Sequence, residues 1–221
     1  MHRKLITMAL VLSCGMAPGA ESVTDARSAI VCFGDSLTSC GGENGRYSDW
    51  LQKSLPGYRV INSGKSGDTL AGGLARLDEA VLKHRPVCVI VELGPNDYWR
   101  RKRPLAELER DYEAIVSKCC ESGMKVLIVS CFGNIVPPDG KGLDFTKPGL
   151  PLEDYAAGLA AIEHRLVVKY RCGYVPDLQC GITPKGRRDL WSDSNHPNAQ
   201  GNRIVAETIL PELRKLLAPK R

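Results

Sequence analysis

Short apolar runs rich in β-branched residues alternate along the chain with longer segments of helical spacing. Two of the runs, 87–93 and 125–130, are apolar through their centres rather than alternating, which is typical of parallel strands buried on both faces. The predicted strands are residues 29–33, 58–61, 87–93, 125–130 and 174–176. The predicted helices are residues 47–55, 70–84, 105–122, 152–170 and 199–217. The alternation predicts an α/β fold with a five-stranded parallel sheet between helices.

Two features interrupt this alternation. Pro211 lies inside the last predicted helix, where it lacks the N–H that a helix needs, so we expect a kink or a break there. Residues 133–151 contain four Pro and four Gly without apolar periodicity. They predict a long loop of the kind that often shapes a binding site.

Length and composition predict one folded domain, which we place at residues 28–219. The chain has 221 residues, of which 43% are hydrophobic, and no shift in composition divides it. The net charge of +5 is modest and no aromatic-basic repeat accompanies it. The charge therefore gives no reason to expect a nucleic-acid partner.

The first 20 residues have the layout of a secretory signal peptide. Arg3 and Lys4 precede an apolar stretch at positions 5–12, and small residues follow. That stretch is far shorter than the ~20 residues needed to cross a bilayer. We therefore expect removal of residues 1–20 and export to a periplasm or the medium. Two alternatives stay open: a buried N-terminal strand, and a lipoprotein signal whose Cys14 is acylated and anchors the chain to a membrane.

Nine cysteines raise the question of a disulfide framework or a metal site. Cys32, Cys88 and Cys131 fall in or beside apolar runs, where a free cysteine behaves as a small buried hydrophobic residue. In an exported chain, the disulfide to test first joins Cys172 to Cys180, on either side of the last predicted strand. The sequence has no CxxC or HExxH motif and its four histidines are scattered, so we expect no metal site.

Three residues with nucleophilic, basic and acidic side chains stand where a parallel sheet places its ligands, beyond the carboxyl ends of strands. Ser36 follows the first strand, and Asp193 and His196 precede the last helix. A serine hydroxyl becomes a good nucleophile when a base takes its proton and a third group orients that base. The spacing lets Asp193 reach one imidazole nitrogen while the other faces Ser36. The sequence therefore predicts a catalytic triad.

Acyl transfer also requires donors for the negative charge that develops on the carbonyl oxygen. Candidates are the backbone N–H of Ser36, the N–H of a glycine in the loop after the second strand, and the side-chain amide of Asn96. Glycine suits that loop because a residue without a β-carbon can bring its N–H close to a substrate.

The same loop contains Gly64-Lys65-Ser66, which looks like the end of a phosphate-binding loop. The motif GxxxxGK[ST] needs a glycine five residues before Gly64, and Arg59 stands there. We therefore expect no nucleotide, and no other cofactor, at this position.

A basic run, Arg100-Arg101-Lys102-Arg103, follows the segment that contains Asn96. One interpretation is a solvated turn. The other is a patch that contacts an anionic substrate or a membrane surface. The second interpretation stays open because the run is close in sequence to the predicted site.

Four segments together resemble the sequence blocks of the SGNH hydrolase superfamily, the GDSL-type esterases. They read "FGDSLT", "SGDT", "GPND" and "SDSNHPN" and occur in the usual order. The resemblance runs from about residue 29 to the final helix. It is closest to the branch of thioesterase I/lysophospholipase L1 and arylesterases, because "NSGKSGDTLAGGLARL" continues in the style of that branch. Pro95 is a departure, since close relatives often have glycine there.

The resemblance implies a three-layer α/β/α, flavodoxin-like fold and assigns a role to each motif residue. Ser36 would be the nucleophile, with Asp193 and His196 completing the triad. Gly67 and Asn96 would donate to the oxyanion together with the N–H of Ser36.

These observations predict an exported, cofactor-free serine esterase or lipase-like acyl hydrolase. Its substrates would be small-molecule or lipid esters or thioesters, cleaved through an acyl-enzyme on Ser36. A carbohydrate O-acetylesterase using the same residues is one alternative. A catalytically silent binding module on the same scaffold is another. Acyl length and leaving group depend on pocket walls that the loop at 133–151 helps to build.

Overall fold

A five-stranded parallel sheet forms the centre of the protein, for which a computed structural model describes residues 26–132, 142–182 and 187–219. The strands are β1 (Ala29–Gly34), β2 (Arg59–Gly64), β3 (Cys88–Glu92), β4 (Lys125–Val129) and β5 (Gly173–Val175). Their order across the sheet is β2-β1-β3-β4-β5. The predicted parallel sheet is confirmed, with β3 at its centre between β1 and β4.

The largest difference in the strands concerns β2, which extends three residues beyond the predicted end at 61. Asn62 pairs with Cys32 and Gly64 pairs with Gly34 of β1. Parallel pairing uses backbone groups only, so a strand can continue through polar residues and glycine. Apolar patterning alone therefore underestimates this strand.

The described helices are α1 (Ser36–Ser39), α2 (Tyr47–Ser54), α3 (Leu70–Ala80), α4 (Pro95–Arg101), α5 (Leu105–Glu121), α6 (Leu152–Tyr170) and α7 (Ala199–Leu217). Short 3₁₀ turns occupy Leu82–His84 and Arg188–Leu190. The predicted helix at 70–84 is thus a helix followed by a turn. The sequence prediction missed α1 and α4, the two short helices that follow β1 and β3.

The helices form a layer on each face of the sheet. Along β1, Val31 and Phe33 pack with α3, α5 and α6, whereas Ile30 and Cys32 pack with α2 and α7. Successive side chains of a strand point to opposite faces, so one apolar strand supplies two cores. This arrangement confirms the predicted three-layer α/β/α architecture.

We expected a kink or a break at Pro211, and the break does not occur, because helix α7 continues through this residue. Pro211 and Glu207, four residues before it, are both on the exposed side of the helix. The carbonyl that loses its partner can therefore be solvated, which lowers the cost of the proline.

All eight cysteines of the described residues are free thiols, so the predicted Cys172–Cys180 disulfide is not formed. Cys172 packs with the core beneath α5 and α6. The carbonyl of Cys180 accepts a hydrogen bond from Thr208 of α7, on the other face of the sheet. Sequence spacing around β5 suggested closeness, but the two residues belong to opposite layers.

The predicted signal segment 1–20, with Cys14, and residues 133–141 of the predicted loop lie outside the described residues. Within the described ranges, the helices are all too short or too polar to cross a membrane.

Candidate active site

Ser36 begins α1 immediately after β1, at the carboxyl edge of the sheet. The preceding Gly34 makes this turn sterically feasible, because a β-carbon there would lie 2.1 Å from Thr38 Oγ1 and 2.6 Å from the carbonyl oxygen of Glu92. Asp35 is buried and accepts a hydrogen bond from the backbone N–H of Leu37 at 2.9 Å. This side chain caps α1 and fixes the backbone that carries Ser36.

His196 and Asp193 are in direct contact. Nδ1 of His196 lies 2.8 Å from Oδ2 and 3.0 Å from Oδ1 of Asp193. Asp193 Oδ1 also accepts from the backbone N–H groups of Asn195 (2.8 Å) and His196 (2.9 Å). These N–H groups and the imidazole lower the pKa of Asp193 to about 2. An ionised carboxylate therefore accepts the Nδ1–H, and Nε2 is left to face the cavity.

The segment that carries His196 is held by hydrogen bonds at its base. The carbonyl of His196 accepts from Ser192 N–H at 2.8 Å, and Trp191 bridges to Pro197. Asn198 caps α7 by accepting from the N–H groups of the next turn. Asn202, which is fully buried, donates to the carbonyl of Pro197 at 2.9 Å. The imidazole thus stands on a fixed corner at the start of α7.

The loop between β2 and α3 presents Gly67 with φ +73°, in the left-handed region that favours glycine. Its N–H and that of Ser36 have no hydrogen-bond partner within the described residues. Two backbone donors at the carboxyl edge of the sheet are therefore available to a ligand.

Arg76 of α3 ties this loop to the sheet, a role that the sequence analysis missed. Its Nε lies 2.5 Å from Oδ2 of buried Asp68, and its Nη atoms donate to the carbonyls of Ser63 (2.9 Å) and Gly34 (3.0 Å). The guanidinium also covers the ring of Phe33. The sequence signal for this role is limited to Arg76 being the one charged residue in the stretch 70–77.

Asn96 stands in the first turn of α4, after Gly94 (φ +130°) and Pro95. Pro95 occupies the first helical position, where proline is favoured. The side-chain amide of Asn96 donates from Nδ2 to Asp35 Oδ2 at 2.7 Å. Because an amide nitrogen carries two hydrogens, one remains for a ligand while the other orients the group.

The basic run that follows Asn96 contains residues in different environments, and Arg103 does not belong to an exposed patch. Arg103 is only 13% exposed and contacts Asp97 (3.4 Å), Glu107 (3.0 Å) and Asp111 (2.7 Å). The charge of Arg103 is therefore paired with carboxylates inside the fold. Arg100, in contrast, lines the cavity in front of Ser36.

Glu92 ends β3 beneath α1 and is completely buried. Its Oε2 accepts from Thr38 Oγ1 at 3.1 Å and from Asp35 N–H at 3.4 Å, while Oε1 is unpartnered among the described residues. Burial, reinforced by nearby Asp35, raises the pKa of Glu92 well above its ordinary value. Burial also raises the pKa of Asp35. Glu92 was not predicted from the sequence because it stands at the end of an apolar strand.

A cavity of about 830 Å³ lies over this edge of the sheet, within the size range of small-molecule sites. It is lined by Ser36, Gly67, Asn96 and His196, and Asp193 stands behind the imidazole. The structure thus brings together all five residues predicted from the sequence. Ser36 and His196 share the cavity without a direct hydrogen bond, a looseness common in ligand-free sites.

Aromatic side chains form much of the remaining wall, namely Trp99, Phe132 and Trp191. Such walls suit acyl or aryl groups, and the polar groups at the floor suit a carbonyl. In the described residues, no group of three or more His, Cys, Asp and Glu side chains is arranged to hold a metal ion.

Comparison with known proteins places this arrangement in context. Residues 32–204 match the profile of the GDSL-like Lipase/Acylhydrolase family. Esterase TesA of Pseudomonas aeruginosa is 36% identical over 216 residues, which cover 95% of this chain and 99% of the relative. Thioesterase 1/protease 1/lysophospholipase L1 of Escherichia coli strain K12 is 26% identical over 198 residues, covering 87% and 86%. A crystal structure of TesA superposes with a TM-score of 0.69 at 28% identity, over 86% of this chain and all of the other.

Proposed function

Since the chain belongs to the GDSL-like lipase/acylhydrolase family and is a serine hydrolase of carboxylic esters, we propose that Ser36 is its nucleophile. The family resemblance and the fold predicted from the sequence are both confirmed. The observation that carries the proposal for Ser36 is the convergence of Ser36, Gly67, Asn96 and His196 on one cavity, with Asp193 bound to the far nitrogen of the imidazole.

The proposed reaction begins when Nε2 of His196 takes the hydroxyl proton of Ser36. The freed Oγ attacks the ester carbonyl carbon, and the imidazolium is stabilised by the Asp193 carboxylate. When the C–O bond of the ester breaks, the same proton passes to the leaving alcohol. Water then attacks the acyl group on Ser36, with His196 again as the base, and releases the acid.

The negative charge of each tetrahedral intermediate would be held by three donors: the N–H groups of Ser36 and Gly67 and the free amide hydrogen of Asn96. One such donor is typically worth ~10²–10³ in rate. The hydrogen bond from Asn96 to Asp35 gives this side chain a fixed direction, so little reorganisation is needed during the reaction.

For the substrate, we propose small-molecule esters or thioesters with an apolar acyl or aryl part. The aromatic wall of the cavity supports this choice, as do relatives named as an esterase and as a thioesterase and lysophospholipase. A series of p-nitrophenyl esters from acetyl to decanoyl tests it. Activity confined to acetyl groups, and higher on acetylated sugars, would instead support the carbohydrate O-acetylesterase alternative.

Substitution of the proposed nucleophile and base is the direct test. Ser36→Ala and His196→Ala should each reduce hydrolysis of p-nitrophenyl butyrate by at least ~10³-fold and leave the folded state intact. Ser36→Ala should also abolish labelling by a fluorophosphonate probe. Ser54→Ala, which alters an exposed serine at the end of α2, is the control and should retain full activity. Wild-type turnover by either of the first two variants contradicts the assignment.

We also propose that the protein is exported and loses residues 1–20. The charged, apolar and small segments of the N-terminus support this proposal. N-terminal sequencing of the mature protein tests it, and an uncleaved protein found only in the cytoplasm contradicts it. If Cys14 is lipidated instead, fatty-acid labelling should disappear in Cys14→Ser.

A further inference from the structure

Arg100 lies close to Ser36, the proposed nucleophile. It lies on the last turn of α4, and its side chain lines the same cavity as Ser36 and His196. A β-carbon added to Gly67 would lie 2.2 Å from Nη2 of Arg100 and 2.7 Å from its Cζ. The guanidinium therefore rests on the glycine whose N–H we assign to the oxyanion site.

Arg100 is unpaired among the described residues, unlike Arg76, which holds the same loop, and Arg103, which follows α4. Arg76 contacts Asp68, and Arg103 contacts three carboxylates. Across the described part of the chain, the guanidinium of Arg100 has no hydrogen bond and no ion pair. Its fixed charge is therefore not used by the fold.

The other charged groups of the cavity do not neutralise Arg100. Among the described lining residues, Arg100 is the one with a fixed positive charge, and Asp35 is the one with a carboxyl group. Asp35 is buried and engaged with Leu37 and Asn96. Asp193 is bound to His196 and stands outside the lining. An anionic group entering the cavity would meet the guanidinium without a competing carboxylate.

A guanidinium is suited to hold an anion because its planar N–H groups match two oxygens of a carboxylate or a phosphate. Resting on Gly67, it would bind such a group beside the reacting carbonyl rather than at the carbonyl itself. Its exposure to solvent limits the strength of this contact and makes it dependent on salt.

On the basis of the active site proposed above, we propose that Arg100 is a specificity-determining residue. It selects esters that carry a carboxylate or a phosphate a few bonds away from the scissile ester. The alternative is a role without charge selectivity, in which Arg100 only covers Gly67 and supports the oxyanion site equally for charged and uncharged esters.

A matched set of acetate and succinate esters separates these roles. The neutral substrate is methyl 4-acetoxybenzoate. Its anionic counterparts are 4-acetoxybenzoate, with the charge on the leaving group, 4-acetoxyphenyl phosphate, with a phosphate in that place, and monophenyl succinate, with the charge on the acyl group. For each, kcat/KM is measured at one pH in wild type and in Arg100→Gln and Arg100→Glu.

We expect Arg100→Gln to lower kcat/KM for at least one anionic ester about three- to tenfold, with the neutral ester changed less than about twofold. Arg100→Glu should lower it further. Sodium chloride at high concentration should weaken the preference in wild type and have little effect in Arg100→Gln. The ester that is affected identifies the side of the scissile bond that faces Arg100 and the anion it accepts.

Lys102→Gln is the matched control. It removes one positive charge two residues away, from a side chain directed towards Gly149 and absent from the cavity lining. It should leave the ratio of anionic to neutral activity unchanged. Equal losses for neutral and anionic esters in Arg100→Gln, or no change for any of the esters, would overturn the inference. Failure of the proposed catalytic site is recognised separately, by full activity in Ser36→Ala.

Discussion

At the scale of single residues, Asp193 and His196 form a compact pair. They are three residues apart, and the carboxylate bonds both the imidazole and two backbone N–H groups. Those bonds lower the pKa of Asp193 to about 2, so the carboxylate contributes its stabilisation above its ordinary pKa of 3.8 and loses it as the pH falls towards 2. Loss of activity in mildly acidic solution should therefore not arise from Asp193.

Asp193→Asn tests the role of this carboxylate. We expect kcat to fall by ~10³–10⁴-fold with KM little changed, because the imidazole loses both its orientation and the charge that stabilises its protonated form. Steady-state kinetics on p-nitrophenyl butyrate would measure the effect. Asp189→Asn, in the same segment and exposed, is the control. A change in kcat of less than tenfold for Asp193→Asn would mean that the histidine works without its partner.

The residues that sequence analysis found and missed differ in one physical respect. Ser36, Asn96 and His196 follow strand ends or precede a helix, where pattern and motif both mark them. Arg76 and Glu92 each act through a partner that is distant in sequence. Glu92 contacts Thr38, 54 residues away, and Arg76 contacts Gly34, 42 residues away. No local pattern encodes such contacts, so they emerge only from the fold.

At the scale of elements, the loop after β2 depends on α3 for its shape. Arg76 joins three segments: the end of β1, the end of β2 and the loop that contains Asp68 and Gly67. Asp97 accepts from Leu70 N–H at 2.8 Å and so links the start of α3 to α4. The donors proposed for the oxyanion thus sit on separate elements that polar side chains hold together.

Arg76→Gln should loosen this connection. Because it leaves the Asp68 carboxylate almost fully buried and without its ion partner, we expect a loss of about 2–4 kcal/mol in the free energy of unfolding. We also expect kcat to fall roughly tenfold, since the Gly67 loop is less well fixed. Urea unfolding and steady-state kinetics measure the two effects.

The control for that experiment is Arg203→Gln, which removes an exposed ion pair with Glu207 on α7. An exposed pair contributes little, so its loss should cost less than about 1 kcal/mol. If Arg76→Gln costs no more than this control, then Arg76 does not hold the loop.

The short helices also show where sequence patterns reach their limit. The predicted α5, α6 and α7 agree with the structure because each has several turns of apolar periodicity, and α2 agrees although it has only about two turns. Helices α1 and α4 have four and seven residues, the shortest of the described α-helices, and give little apolar periodicity. Both follow strands and carry Ser36 and Asn96, so the sequence predicted these candidate residues but not the helices that present them.

At the scale of the whole molecule, the sheet separates two apolar cores. The side chains of Glu92 and Asp35 are buried at the carboxyl edge of the sheet. Burial raises the pKa of Glu92 above its ordinary value near 4.5, and Asp35 adds to the rise. The folded protein therefore holds a proton on Glu92 that the unfolded chain releases. Because of this difference, the free energy of unfolding decreases as the pH rises above about 4.5, and the decrease ends once the pH exceeds the raised pKa of Glu92.

Glu92→Gln removes this linkage. We expect the melting temperature of the variant, relative to wild type, to increase from pH 5 to pH 8, because glutamine has no proton to lose. Thermal unfolding followed by circular dichroism at several pH values measures it. Glu121→Gln, at an exposed position, should show no such trend. A constant difference across this range would show that Glu92 is ionised in the folded state.

The proposed nucleophile and base come from nearly opposite ends of the described chain. Ser36 follows the first strand, and His196 immediately precedes the last helix. Helix α7 reaches the first third of the chain through contacts such as Asn202 with Cys40 and Trp50 with the carbonyl of Ala199. A contact this distant in sequence closes a large loop, which is slow and unfavourable before the rest of the fold exists. During refolding, enzymatic activity should therefore return later than the helical circular dichroism signal. The recovery of turnover would then report when α7 docks.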